Sequence, residues 1–341
     1  MSSLTALLSS ITLRRIRDPS HLELTGLDLH AIPGWLRRIF LSSSRLRKVN
    51  CMVVIECSGV TADDLAMLLC SVPRLQSLQV HDCTGVSGLP LQFVSFPTAL
   101  HALSLRGAQI NVEATRMLTL LSTLKLDGCR LETVEIGSSK LADVALVGCA
   151  GLTDDAVTSL IARSPCLRSL DISESSGLLR LTLPWAPSLE RLHVEDCAQL
   201  EALPALDTSC PALCDLSVAF CTRLCAVGWP VTLRQVNLAR SALGDEELSE
   251  LCRRCATTLE VLVVRGCETL RAPLIAGITL RRLDVSGCTD LSLAAVEHAL
   301  SACARLEAVD ARDCAFDAFL RPPHGAEGRI EILQDPLSST M

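Results

Sequence analysis

Cysteine is the residue whose number and spacing in this chain first suggest chemistry. The sequence contains 18 cysteines, and Cys252 and Cys255 form its single C-x-x-C pair. A typical structural zinc site needs two such pairs, or one pair with two suitably spaced histidines. Both thiols fall where a helix would pack against the next strand, and a buried free cysteine behaves as a small hydrophobic residue. We therefore expect the pair to pack in a core and to bind no metal.

His193 is a second candidate for metal binding, because Glu195 and Cys197 follow it closely. Alternate side chains of a strand share one face, so His193 and Glu195 would point to solvent together. The chain beyond the strand would turn Cys197 into the core. Because no convergent set of ligands is visible, we expect no metal site here either.

Motifs of enzymes are absent from the sequence. It has no glycine-rich phosphate loop, no H-E-x-x-H and no G-x-S-x-G, and its spacing does not single out a set of Ser, His and acid. A metal-dependent or thiol enzyme is the alternative from a different functional class. The sequence favours a protein without catalytic activity and without a cofactor.

The composition disfavours nucleic acid and membranes as partners. Asp and Glu total 38 against 31 Lys and Arg, for a net charge of −7, whereas a nucleic-acid-binding surface needs clustered basic residues. Aromatic residues make up only 3% of the chain, so stacking against rings is not a general feature of its surface. No apolar run reaches the length of about 18 residues that a transmembrane helix needs.

Two interpretations of residues 1–17 remain open. The basic residues follow the apolar part, which is the reverse of a secretory signal, so we expect reduced thiols and a location in the cytoplasm or the nucleus. However, the segment has no acidic residue, is rich in Ser and Arg, and carries apolar residues at helical spacing. It is therefore either a helix that caps the N-terminus or a mitochondrial presequence.

The secondary-structure elements that would position any site are predicted by a sequence pattern that recurs along the chain. The pattern is Leu, two residues, Leu, one residue, Leu or Val, two residues, then Cys. Clear copies begin at Leu75, Leu189, Leu213, Leu259 and Leu280, and weaker ones at Val49, Leu100, Leu121, Leu131, Leu141, Leu167, Leu224, Leu233 and Leu306. Successive starts are often about 26 residues apart and otherwise about 21 or 10.

Each copy predicts a short strand with one buried face, since its apolar residues alternate with period two. One such strand cannot bury its apolar edge alone, so stacked copies would form a parallel sheet over one continuous core. The longer copies continue with Thr or Ser, acids and helically spaced apolar residues, which is typical of an N-capped helix. The shorter copies leave room only for turns or short extended pieces.

These residues resemble a known family. Cys57-Ser-Gly-Val-Thr-Ala-Asp, Cys149-Ala-Gly-Leu-Thr-Asp-Asp and Cys288-Thr-Asp-Leu-Ser resemble the cysteine-containing subtype of leucine-rich repeat, over residues 46–316. The resemblance implies an α/β leucine-rich repeat solenoid, a curved horseshoe with its parallel sheet on the concave face and helices or turns on the convex face. That subtype is best known in F-box substrate receptors of ubiquitin ligases and in related adaptors.

The sequence departs from the F-box receptors near its start. Residues 32–40 resemble the opening of an F-box, but repeats begin almost at once and leave no room for its three helices. We interpret 32–43 as the outer helix of a first, atypical repeat whose strand includes Leu27 and Leu29. The resemblance still leaves an alternative function open, that of a substrate-recognition subunit in a ubiquitin ligase complex with a partner such as Skp1 or a cullin.

The main functional hypothesis is a protein-binding concave face, because solenoids use that face to bind partners. The strand residues between the ladder leucines would point outward there, Ser217 among them. The candidate binding residues are Arg106, Lys125, Asp171, His193, Glu195, Asp215, Asn237 and Arg265. We expect Asp171, Glu195 and Asp215 to form an acidic stripe across neighbouring strands, suited to a protein partner with a basic surface.

The predicted organisation is a single solenoid domain in three parts. Residues 1–45 would form the N-terminal cap and first atypical repeat, and residues 46–316 the repeat array. Residues 317–341, with Pro322, Pro323 and two glycines, would form a C-terminal cap and a mobile tail. The function expected from this organisation is that of an adaptor or scaffold.

Overall fold

A computed structural model describes residues 20–26, 44–83, 98–107, 109–110, 118–131, 138–277, 279–316, 320–322 and 330–333. The chain divides into two compact units, residues 1–167 and residues 168–341. Each unit is built from a parallel sheet with helices or turns between its strands.

The strands and helices are numbered in chain order. The strands are β1 (His21–Thr25), β2 (Cys51–Ile55), β3 (Ser77–His81), β4 (Ala102–Arg106), β5 (Gln109–Ile110), β6 (Thr123–Asp127), β7 (Arg130–Leu131), β8 (Asp143–Ala145), β9 (Ser169–Asp171), β10 (Arg191–His193), β11 (Ala202–Leu203), β12 (Asp215–Ser217), β13 (Ala226–Val227), β14 (Gln235–Asn237), β15 (Val261–Val263), β16 (Arg282–Asp284), β17 (Ala308–Asp310) and β18 (Glu331–Leu333). The helices are α1 (Ala62–Ser71), α2 (Asp154–Arg163), α3 (Leu206–Ser209), α4 (Asp245–Arg254) and α5 (Leu293–Ala302), and Ser44–Lys48 forms a 3₁₀ turn.

The first unit has its main sheet in the order β1-β2-β3-β4-β6-β8, with every pair parallel. The inward residue of each strand is an aliphatic side chain, as Met52 in β2 and Leu78 in β3 show, and both are fully buried. The alternation of buried and half-exposed residues along these strands confirms the period-two pattern in the sequence.

The second unit has its main sheet in the order β9-β10-β12-β14-β15-β16-β17-β18, again with every pair parallel. Its central inward row is Leu170, Leu192, Leu216, Val236, Leu262, Leu283 and Val309, all buried. β18 lies within the segment predicted as the C-terminal cap and adds one more strand beyond the last predicted repeat. The division of the chain at residues 45 and 316 stays a prediction.

The helices lie in the long repeats, as the spacing predicts. The Thr61 hydroxyl accepts a hydrogen bond from the backbone N–H of Asp64, whose carboxylate accepts one in return from the backbone N–H of Thr61. Thr153 and Ser292 cap α2 and α5 in the same way, through bonds to the N–H group three residues on. In the short repeats the connections are turns and two-residue strands, with α3 as one unpredicted helical turn.

The ladder cysteines tie each repeat to the one before it. The Cys221 thiol donates a hydrogen bond to the carbonyl oxygen of Val194 at 2.9 Å, and the Cys288 thiol donates one to that of Val264 at 3.0 Å. The same contact with a carbonyl oxygen of the preceding repeat is made by Cys83, Cys129, Cys149, Cys197, Cys267 and Cys314. The buried thiols thus add a donor to these backbone carbonyls, some of which, such as that of Val264, also accept a backbone N–H.

Three details of the predicted repeat positions were wrong. β6 pairs directly with β8, so the copy that begins at Leu131 is not a strand of the main sheet. β12 likewise pairs directly with β14, and the residues after Leu224 join a separate two-stranded sheet. The strand that pairs with β2 is β1, which ends before Leu27. The predicted helices at 1–17 and 32–43, and Leu27 and Leu29 themselves, lie outside the described residues.

Among the described residues, no helix is long and apolar enough to cross a membrane.

Candidate protein-interaction face

The outward side chains of the second unit's sheet occupy rows that the strand register fixes. Asp171 lies opposite His193, which lies opposite Ser217. Asp215 lies opposite Arg191, in the outward row two residues nearer the N-terminal ends of the strands. Because neighbouring parallel strands are about 4.8 Å apart, side chains within a row, and diagonally across it, reach one another.

His193 is the centre of the acidic cluster, which we define as Asp171, His193, Glu195 and Asp215. Its Nε2 lies 3.6 Å from Oδ2 of Asp215. The contact with Asp215 raises the pKa of His193, and the charges of Asp171 and Glu195 add to the effect, while partial burial opposes it. The three carboxylates therefore stabilise the protonated imidazole.

The expected acidic stripe is thus a ring around a histidine. The sheet register places Asp215 in one row and Asp171 in the next, and Glu195 follows His193 beyond the end of β10. The three carboxylates do not share one row of the sheet, because the three residues stand at different distances from their ladder leucines. The structure does bring all three carboxylates to one place on the sheet face.

The side chains of Asp171 and Asn237 accept hydrogen bonds at the ends of their strands, which the sequence interpretation did not predict. The Oδ1 atom of Asp171 accepts hydrogen bonds from the backbone N–H of Ser173 at 3.0 Å and from its hydroxyl at 2.6 Å. Asn237 accepts one from the N–H of Ala239 at 3.1 Å. Asp284 and Asp310 make the same bond to the residue two positions on. In these repeats the side chain caps the turn that ends the strand.

Ser217 lies on the outward face of the sheet, where its neighbours cover it. Only 4% of it is exposed, and its hydroxyl donates a short hydrogen bond of 2.5 Å to Oε1 of Glu195. The backbone N–H of Glu195 in turn donates to the hydroxyl of Ser173. A small residue between long polar neighbours is covered by them, even on the outward face of a sheet.

The candidate residues of the first unit lie on β4 and β6. Arg106 bridges two carboxylates, Asp82 at 3.4 Å and Asp127 at 3.3 Å, and both ion pairs are exposed. Lys125 is exposed and lines an open cavity of about 260 Å³ with His81 and Ser104, whose side chains lie 2.7 Å apart. Of these two candidates, Arg106 is held in ion pairs with its neighbours, whereas no ion pair of Lys125 is seen among the described residues.

The remaining candidate, Arg265, follows β15 in the second unit and is exposed. It lines an open cavity with Arg240, which the sequence interpretation did not single out. The signal that could have found Arg240 is its position in the repeat, immediately before the residue in the ladder-cysteine position. Phe220 stands at the same position one repeat earlier, 45% exposed.

The cysteines considered for metal binding lie in the core, as predicted. Cys252 and Cys255 are 2% and 0% exposed, and the Cys255 thiol donates to the carbonyl oxygen of Pro230. Burial raises the pKa of Cys252 to about 12 and that of Cys255 to about 11. Cys197 is buried on the opposite side from His193. Within the described part of the chain, no group of His, Cys, Asp and Glu is arranged to hold a metal ion.

Comparisons with known proteins identify the fold. No protein-family model and no curated protein matches the sequence. Among solved structures, the functional domain of InlJ from Listeria monocytogenes, described as including a cysteine ladder, matches 86% of this chain at 14% identity and a TM-score of 0.51. A leucine-rich repeat protein of Leptospira interrogans matches 85% of this chain and 89% of its own at 14% identity and a TM-score of 0.50.

This chain has the leucine-rich repeat fold. The predicted fold class, an α/β leucine-rich repeat solenoid, is thereby confirmed. The chain spans 58% of the InlJ domain, and at 14% identity the likeness concerns the fold alone.

Proposed function

We propose that this protein is a protein–protein interaction module, an adaptor or scaffold without catalytic activity of its own. Three observations support the proposal: the leucine-rich repeat fold, the absence of a catalytic motif from the sequence, and the acidic cluster on the sheet face. The cluster carries the most weight, because three carboxylates around one imidazole form a local negative field on a face that repeat proteins use for binding.

The partner that suits this face has a basic surface. Asp171, Glu195 and Asp215 would attract Lys or Arg side chains, and exposed charges of this kind act mainly on the rate and the specificity of association. His193 reduces the negative charge of the cluster when it is protonated. Binding should therefore be strongest at a pH above the pKa of His193 and at low salt.

The experiment is a comparison of captured partners. The full chain is immobilised as wild type and as the triple variant Asp171→Asn, Glu195→Gln and Asp215→Asn, which keeps the acceptor oxygens and removes the charges. Asn237 already supplies the bond of Asp171 in its own repeat, so the strand ends should stay capped. We expect partners with basic surfaces to be lost from the triple variant.

A matched control is Glu250→Gln, which removes one carboxylate from an exposed ion pair with Arg253 on α4. This variant should capture the same partners as wild type. Equal recovery of all partners by wild type and the triple variant would exclude the acidic cluster as the binding surface. The interaction surface would then have to be sought elsewhere, beginning with Val53 and Ile55 of β2 in the first unit.

No observation in the described residues favours the alternative of a ubiquitin ligase subunit over a general adaptor. The F-box-like stretch, residues 32–40, lies outside those residues. The capture experiment separates the two functions, because Skp1 or a cullin among the partners would favour the ligase. We infer that the protein works in the cytoplasm, where its thiols would stay reduced.

A further inference from the structure

In the second unit, one backbone position of each repeat from β9 to β17 has a left-handed conformation. It is the residue immediately before the ladder position, and its φ lies between 51° and 70°. In chain order these residues are Glu174, Asp196, Phe220, Arg240, Gly266, Gly287 and Asp313. Five of the seven have side chains although this conformation is costly for residues other than glycine. They form a row at the ends of the strands.

The two glycines interrupt that row. A Cβ atom on Gly287 would lie 3.6 Å from the Cα of Gly266, and a Cβ on Gly266 would lie 3.1 Å from Cγ of Arg240. The missing side chains leave an open cavity of about 530 Å³ between Arg240 and Asp313, which we call the glycine notch. Its lining also includes Arg265, Glu268 and hydroxyl residues.

Two arginines, Arg240 and Arg265, line this notch, and neither forms a salt bridge within the described residues, although the charge of Arg265 acts on Asp310. In contrast, Arg281 and Arg312 nearby each form an ion pair. The Arg240 guanidinium lies over the ring of Phe220, 5.7 Å from its centroid. A cation held over an aromatic face keeps its position and its hydrogen-bond donors free.

Phe220 adds a second sign of a binding role. It is a bulky residue in the left-handed conformation and is 45% exposed. Strain and solvent exposure of a large apolar side chain both cost free energy, and such positions cluster at sites that contact ligands. Aromatic residues and arginines are also the side chains that dominate the binding energy of protein interfaces.

We propose that the glycine notch binds the carboxylate of an acidic side chain presented by a protein partner, with Arg265 and Arg240 as its cationic contacts and Phe220 as the apolar contact beside them. The inference rests on the proposed function in so far as the ligand is a protein. Glu268 and Asp313 also line the notch, so its formal charges balance. A single carboxylate therefore fits better than a polyanion such as nucleic acid.

The test measures fluorescence anisotropy of labelled probes with the full chain at low salt. The probes are a short peptide of alternating Glu and Ser, one of alternating Lys and Ser, and a single-stranded oligonucleotide. The variants are Arg265→Glu, Gly287→Asn and Gly287→Asp. Gly287→Asn fills the notch without adding charge, and five equivalent positions already hold a side chain in this backbone conformation. The matched control is Arg281→Glu, because Arg281 is an exposed arginine paired with Glu307.

We expect wild type to bind the Glu peptide, with affinity about tenfold or more weaker in Arg265→Glu, the loss typical of a charge-assisted hydrogen bond. Gly287→Asn should also weaken binding, Gly287→Asp should weaken it further, and Arg281→Glu should leave it unchanged. Equal affinity of wild type and Arg265→Glu would overturn the proposal. So would oligonucleotide binding that depends on Arg265.

Failure of the notch and failure of the proposed function are distinguishable. Neutralising Asp171, Glu195 and Asp215 leaves every lining residue of the notch in place. If the Glu peptide does not bind while capture of basic partners still depends on the acidic cluster, the notch proposal alone falls. If Gly287→Asp does not fold, Arg265→Glu still decides the question, since Arg265 is exposed.

Discussion

The imidazole of His193 and the carboxylate of Asp215 lie diagonally across two neighbouring parallel strands, with Nε2 and Oδ2 3.6 Å apart. Neither residue would be in reach of the other if the register of β10 and β12 were shifted by one residue, because the side chains would then point to opposite faces. This contact raises the pKa of His193, so the charge of the acidic cluster changes with pH through the titration of that imidazole.

The first prediction concerns the titration of His193. Because Asp215 holds its pKa above the ordinary value of 6.5, its NMR titration midpoint should lie above 6.5. The folded-state pKa is raised, so the stability that His193 contributes is present below the unfolded pKa and is lost as pH rises through the folded pKa. In Asp215→Asn the midpoint should fall. An unchanged midpoint in that variant would show that the ion pair does not form in solution.

The second prediction concerns the cap made by Asp171. Asp171→Ala leaves the N–H and the hydroxyl of Ser173 without their acceptor, so it should lower the free energy of unfolding by about 1–2 kcal/mol. Asp171→Asn should cost less, since Asn237 makes the same bond in its own repeat. Urea denaturation of the two variants measures the difference. Equal losses would mean that the charge of Asp171, and not its acceptor oxygen, matters for the fold.

The sequence predicts the strands and the long-repeat helices well because both have a strong local pattern. The alternation of Leu216 and Val218 has one buried arrangement along a strand, and Thr153 before two acids specifies a helix start. The failures at Leu131 and Leu224 have a common cause. Both leucines are buried, but burial in an outer turn and burial under a strand require the same apolar residue.

The candidate site could be predicted only in part. The pattern places Asp171, Glu195 and Asp215 on the outward face, but the geometry of the cluster depends on side-chain reach across strands. The burial of Ser217 depends on its longer neighbours, which no local pattern records. The glycine notch is an absence of side chains, and it becomes visible only when Gly266 and Gly287 are placed in one row with Arg240.

The third prediction concerns thiol reactivity. Of the 18 free cysteines, Cys70, Cys166 and Cys225 are exposed, and only a thiolate reacts quickly. Burial raises the pKa of thiols such as Cys210 and Cys288 to about 12. Native protein should therefore react quickly with Ellman's reagent at these three sites, and the 13 buried thiols should react only after unfolding. Defined disulfides in non-reducing mass spectrometry would contradict the inference that the protein works in a reducing compartment.

The fourth prediction concerns alkaline pH. A buried thiol whose folded-state pKa is raised contributes stability below its unfolded pKa, and that stability is lost as pH rises through the folded value. The thermal midpoint should therefore fall between pH 9, the ordinary value, and pH 12, the value for Cys210 and Cys288. Cys210→Ala removes one such group and should make the fall shallower. The exposed control Cys166→Ala should leave the slope unchanged.

The last prediction tests the strand register through three positions of the second unit. Leu216 is fully buried between stacked repeats, so Leu216→Asp should lower the free energy of unfolding by about 4 kcal/mol, because it buries an unpaired carboxylate and leaves a cavity. Ser217→Asp replaces the donor to Glu195 by a second carboxylate at a covered position, so an intermediate loss of about 2 kcal/mol is expected. Gln235→Ala changes an exposed side chain and should cost less than about 0.5 kcal/mol. Urea denaturation of the three variants gives the order. A loss at Gln235 as large as that at Leu216 would place the outward face of β14 in the core and contradict the register described for this sheet.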